Sequence, residues 1–165
     1  MSDEPEGSKY LLRNTGAGLG EIRSESGELL WRYAPPPSRW NFLNGPLRGP
    51  DFVLSDAAGH EKLRIERERS FPPASFSIVT HRRRLGSIEA VSLMSTHWAL
   101  ELEGRRWMFK IPPLSAQFIA RSEDGTALRA HLHSQTEWFA FVEKGADGAA
   151  LLAALAFVQS ERCRW

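Results

Sequence analysis

The chain has 165 residues and a mass of 18.6 kDa, a length that favours one domain and leaves little room for a second core. With 42% hydrophobic and 25% charged residues it has the composition of a folded protein, and 21 basic against 20 acidic side chains exclude the overall basicity of a dedicated nucleic-acid binder. Cys163 is the single cysteine, which excludes an intramolecular disulfide and a cysteine metal cluster and fits a reducing compartment.

Met1 to Ser8, MSDEPEGS, is acidic and polar and lacks the apolar run of a secretory signal, so residues 1–8 read as a disordered tail before one domain at 9–165. Short strands are then expected near Lys9–Asn14, Leu19–Arg23, Glu28–Tyr33, Phe52–Ser55, His60–Glu66, Ser75–Thr80, Leu85–Val91, His97–Leu102, Arg105–Lys110, Ala116–Arg121, Thr126–His133 and Trp138–Glu143. Gly16 to Gly20 lacks the G-x-G-x-x-G spacing and leads into no helix, so it reads as a turn. Ser24-Glu25-Ser26-Gly27, Asp56-Ala57-Ala58-Gly59 and Ser122-Glu123-Asp124-Gly125 share a Ser/Asp-x-x-Gly form. The first side chain can accept bonds from the backbone ahead and the glycine tolerates positive φ, so each predicts a hairpin corner. The segment 34–50 holds Pro35-Pro36-Pro37, Gly45-Pro46 and Gly49-Pro50 and reads as a Pro-rich loop, with Trp40 and Phe42 as candidate partner contacts.

The hairpin around Glu103-Gly104 has the clearest alternation. Leu102, Leu100 and Trp98 face Arg105, Trp107 and Phe109 on one side, while Glu101, Ala99 and His97 face Arg106, Met108 and Lys110 on the other. Near the C-terminus, Ala149–Val158 forms ten apolar residues after Asp147, a natural N-cap, and predicts a helix from Gly148 to Glu161. Ten helical residues span about 15 Å, half of a hydrocarbon core, so no transmembrane segment is expected. A helix without a polar face has to be enclosed on nearly every side. The expected architecture is mainly β: about twelve antiparallel strands closed as a barrel around a central hydrophobic C-terminal helix.

The run from Gly45 through Asp56-Ala57-Ala58-Gly59 to Leu63-Arg64-Ile65-Glu66-Arg67 resembles the scramblase and LURP-one-related group of the tubby-like superfamily, in which a strand, a D-x-x-G turn and an Arg-containing strand follow one another. The Trp98–Phe109 hairpin, the Asp124-Gly125 turn and the apolar C-terminal helix continue that order from about Leu11 to Val158. The resemblance implies a twelve-stranded barrel around a helix. Scramblases add a cysteine-rich palmitoylated stretch and an acidic calcium segment, whereas Ser70–Ser75 has no cysteine and Glu143–Gly148 offers two carboxylates. Calcium prefers six or more oxygens, so calcium-driven scrambling is not expected. Tubby proteins bind phosphoinositides through basic side chains on the barrel, an activity the resemblance extends to this chain where its own basic residues converge.

The best place for convergence is His81-Arg82-Arg83-Arg84, at the tip between two expected strands, with Arg105 and Arg106 as further candidates. Between residues 81 and 110 six Arg or Lys stand against three Glu, a local charge of +3. His131 and His133 share one strand face beside Arg129, but no third ligand accompanies them, so no metal is expected. No nucleophile elbow, zinc-protease helix or P-loop occurs, and no cofactor is expected. The leading expectation is a non-enzymatic, cytoplasmic module, peripheral at the membrane, that recognises anionic lipid headgroups or phosphates through Arg82, Arg83, Arg84, Arg105 and Arg106. Two alternatives stand beside it: a protein-interaction scaffold using the Pro-rich loop, and an enzyme with a cleft at the barrel end near His131 and His133.

Overall fold

The computed structural model describes residues 7–16, 19–34, 50–69, 75–81, 83–91, 97–110, 117–123, 128–134, 136–144 and 147–162. Twelve strands precede one helix: β1 (Gly7–Gly16), β2 (Leu19–Ser24), β3 (Leu29–Ala34), β4 (Pro50–Asp56), β5 (Glu61–Arg69), β6 (Ser75–Val79), β7 (Arg84–Ala90), β8 (His97–Leu102), β9 (Arg105–Lys110), β10 (Gln117–Ser122), β11 (Leu128–Leu132), β12 (Glu137–Glu143) and α1 (Gly148–Arg162). The chain is mainly β with a single C-terminal helix, as its sequence indicates. Strands β8 and β9 have the expected bounds, and the other limits move by no more than three residues. Every strand pairs antiparallel with its neighbours in the chain, and β1 pairs with both β2 and β12, so the ladder returns on itself as a closed barrel.

Local chemistry explains the corners. Asp56 Oδ1 accepts hydrogen bonds from the backbone N–H of Ala58 and His60, each at 2.9 Å, and Gly59 closes the turn at φ 90°. Ser24 Oγ accepts from Glu28 N at 3.2 Å, the weaker hydroxyl version of the same device. The β8–β9 turn needs positive φ at both central residues, and Glu103 adopts 49° beside Gly104 at 81°. The third expected corner runs into residues 124–127, which lie outside the described residues, as does most of the Pro-rich loop.

Alternation then decides what faces inward. Leu100 pairs with Trp107 and Trp98 with Phe109, all buried, while Glu101 and Arg106 face outward as an opposed pair. Inside the ring, every residue of α1 from Ala150 to Val158 is at most 3% exposed. The Phe157 ring lies edge-on to Phe76 with centroids 4.7 Å apart and edge-on to Phe52 at 6.1 Å. Phe52 and Phe76 open β4 and β6, so Phe157 marks the end opposite the β4–β5 and β6–β7 corners. The helix begins at the corner end, where Asp147 Oδ1 accepts from Ala150 N at 3.1 Å.

Between β1 and β3 the wall is fastened by a side chain. The Tyr33 ring passes over Gly20, where a Cβ would collide with it, and the Tyr33 hydroxyl donates to Asn14 Oδ1. Burial, followed by the nearby Glu21 charge, raises the pKa of this phenol and keeps it protonated.

Phe157→Ala is expected to cost about 3–5 kcal/mol, because it opens a cavity where helix and wall meet. Phe139→Ala, on the outer face at 39% exposure, should cost below about 1 kcal/mol. Urea denaturation of both variants checks the contrast, and equal losses would mean that Phe157 does not carry the helix–wall contact.

Candidate functional site

Two neighbouring corners form the basic region. The β6–β7 corner is closed by Thr80, whose N–H and hydroxyl both donate to Arg83 O, at 2.9 and 3.3 Å. Glu103 N donates to Leu85 O at 3.1 Å, which sets the β8–β9 turn against the start of β7. Arg83, Arg84, Arg105 and Arg106 therefore stand exposed at one end of the barrel. Arg82 lies outside the described residues.

The same packing brings carboxylates that sequence reasoning missed. Arg83 Nη2 lies 3.0 Å from Glu103 Oε1, twenty residues away. Arg84 reaches over β6 to Glu68 on β5, with Nη1 2.9 Å from Oε1. Arg106 faces Glu101 across the hairpin and Arg105 faces Leu102. Exposed pairs of this kind contribute about 0–1 kcal/mol each. They orient the guanidinium groups while leaving them exchangeable for a better anion.

The remaining candidates separate. His131 projects from β11 onto the outer face because Leu128 and Ala130 take the inward phase, and His133 follows the end of that strand; both are exposed. Their rings pack on Phe139, at centroid distances of 5.6 and 4.7 Å, and His133 N donates to Glu137 O at 2.9 Å to close the β11–β12 corner. Among the described residues no three His, Cys, Asp or Glu side chains are grouped to hold a metal ion. Trp40 and Phe42 lie outside the described residues. No helix among the described residues is long and apolar enough to cross a membrane.

A concavity not singled out by the sequence lies on the outer faces of β2, β3 and β4, an open groove of about 290 Å³. Glu21 and Arg32 are cross-strand partners on its rim. Arg23 Nε donates to Glu21 Oε1 at 2.9 Å and Arg23 Nη2 to Oε2 at 3.3 Å, with Arg13 Nη1 at 3.9 Å. The Arg23 hydrogen bond is the main reason the Glu21 pKa lies below the usual carboxylate value. Burial opposes the shift, and the charges of Arg23, Arg13 and Arg32 assist it. The available signal was the short side chain of Ala34 two residues from Arg32. Its significance depends on register, which spacing alone does not supply.

No protein-family model matches the chain, and no curated protein matches it. The crystal structure of a protein from Arabidopsis thaliana is similar, with a TM-score of 0.68 at 13% identity, over 96% of this chain and 93% of that one. At this identity the likeness establishes a shared fold.

The Glu21 shift has a sign that can be measured. A carboxyl that releases its proton more readily when folded stabilises the fold fully above the unfolded pKa of about 4.3, and that contribution is lost as pH falls through the folded value. Urea titrations from neutral to strongly acidic pH should show wild type losing stability across that window. Glu21→Gln should lack this component, and parallel curves would remove the charged contact from the account.

Proposed function

We propose that the chain is a non-enzymatic binding module that recognises anionic lipid headgroups or phosphates at the cytoplasmic membrane surface, through the end of the barrel that carries Arg83, Arg84, Arg105 and Arg106. The observation that carries this reading is the docking of two corners through Glu103 N and Leu85 O, which sets these four exposed guanidinium groups on adjacent turns. Guanidinium groups hold phosphate oxygens through paired N–H donors, and an anionic leaflet attracts each added basic charge by about 1 kcal/mol. The carboxylates of Glu68 and Glu103 are held only by exposed contacts, so a phosphate with more charge can displace them. The resemblance to the tubby-like superfamily, whose tubby members bind phosphoinositides through basic side chains on the barrel, points the same way, and the sequence adds Arg82 as a candidate.

Co-sedimentation with phosphatidylcholine vesicles, with and without phosphatidylserine, tests the reading. At low salt wild type should pellet only with the anionic vesicles, and added salt should release it. Replacing Arg83, Arg84, Arg105 and Arg106 together by Ala should weaken binding by about tenfold or more. Glu103→Gln should strengthen it severalfold by freeing Arg83. A quadruple variant that folds and binds as wild type does would overturn the proposal.

A further inference from the structure

The groove on β2, β3 and β4 differs in chemistry from the basic corners. Glu21, Arg32 and Ser55 stand in one row across the three strands, and Ala34 is paired with Val53 in the next outward row, with Leu19 at its edge. The hollow lies where Ala34, on the outward phase, is short, while the neighbouring Tyr33 turns its ring inward over Gly20. Its floor is therefore apolar and its rim polar.

The rim has donors to spare. Both Glu21 oxygens are engaged by Arg23. Arg32, one strand over, forms no ion pair among the described residues, and the hydroxyls of Ser55 and Thr15 form no hydrogen bond among them. A guanidinium that feels the Glu21 charge but makes no close ion pair among the described residues, with two hydroxyls around an apolar floor, asks for an acceptor attached to an apolar body. A carboxylate matches one guanidinium in bidentate fashion. A phosphate dianion suits this rim less, because the ionised Glu21 beside Arg32 repels the second charge.

A groove of about 290 Å³ is at the small end of ligand pockets and suits a ligand of roughly ten non-hydrogen atoms. We infer that the groove is a binding site for a small monocarboxylate with an apolar body of that size, its carboxylate on Arg32 and Ser55 and its body over Ala34, Val53 and Leu19. A ligand of ten atoms on an open surface binds with a Kd on the order of a millimolar. This site lies on a different surface from the proposed phosphate site and does not rest on it.

Octanoate, kept below its micelle concentration, is the probe, and two-dimensional amide NMR is the readout. Saturable shifts are expected at Arg32, Val53 and Ser55. Arg32→Gln should weaken binding about tenfold by removing the charge-assisted contact. Ala34→Leu keeps every charge but fills the floor, and should abolish binding. Octanol and inorganic phosphate, each lacking half of the ligand, should bind more weakly. The variant with Arg83, Arg84, Arg105 and Arg106 replaced by Ala should bind octanoate as wild type does. If it loses octanoate, the carboxylate is held at the basic corners and the groove assignment is wrong. Shifts that fail to saturate, or an Ala34→Leu protein that folds and binds like wild type, would likewise overturn it.

Discussion

A helix with no polar face constrains everything around it. From Ala150 to Val158 nine consecutive residues are withdrawn from water on all sides. A single sheet face would cover half of that circumference, and each Leu or Phe left exposed would forfeit about 1.5–3 kcal/mol. Twelve strands in a ring cover it completely, at the cost of pairing the first strand with the last. That pairing is the least local of the strand pairings, joining Gly7 to Glu143 and Leu11 to Phe139. The helix thus favours a closure that the strands alone would reach only by aligning ends more than a hundred residues apart.

Closure also decides where function can reside. Among the described residues the interior of the ring is filled by its own helix, unlike barrels that enclose a ligand. Chemistry is displaced to the corners and to the outer face. There the strands carry charges in opposite-sign neighbours: Arg13 lies between Glu21 and Glu137, and Arg64 between Glu61 and Glu66. Such pairs add little stability in water, but they fix which guanidinium groups are committed and which remain available.

Much of this architecture can be read from the residues in order. Alternation along His97–Leu102 and Arg105–Lys110 specifies inward and outward faces. Ser24, Asp56 and Glu103-Gly104 announce corners through known backbone chemistry, and Ala149–Val158 announces an enclosed helix. All of these are local signals. The site is less legible because it depends on register between strands. The Arg84–Glu68 pair spans a third strand, and β6 and β7 shift register between Ile78 and Val79, so counting from the turn misplaces Arg84 relative to its neighbours. The groove likewise needs Arg32 between Glu21 and Ser55 and Ala34 beside Val53, coincidences of three strands that no single segment encodes.

Two guanidinium environments on one barrel illustrate how surroundings select a ligand. At the corners Arg83 and Arg84 are exposed, near other cations, and already neutralised by carboxylates. An incoming anion must displace those partners, which favours a polyanion presented at a surface and makes the interaction sensitive to salt. On β3, Arg32 has no carboxylate of its own among the described residues and stands over an apolar floor beside a carboxylate committed to Arg23. In the proposed complex an apolar body would supply part of the binding and a single charge would suffice, so the contact should depend less on ionic strength and more on shape. On the two proposed readings the same side chain takes different ligands, and the difference is made by whether its nearest acid is free to bind it.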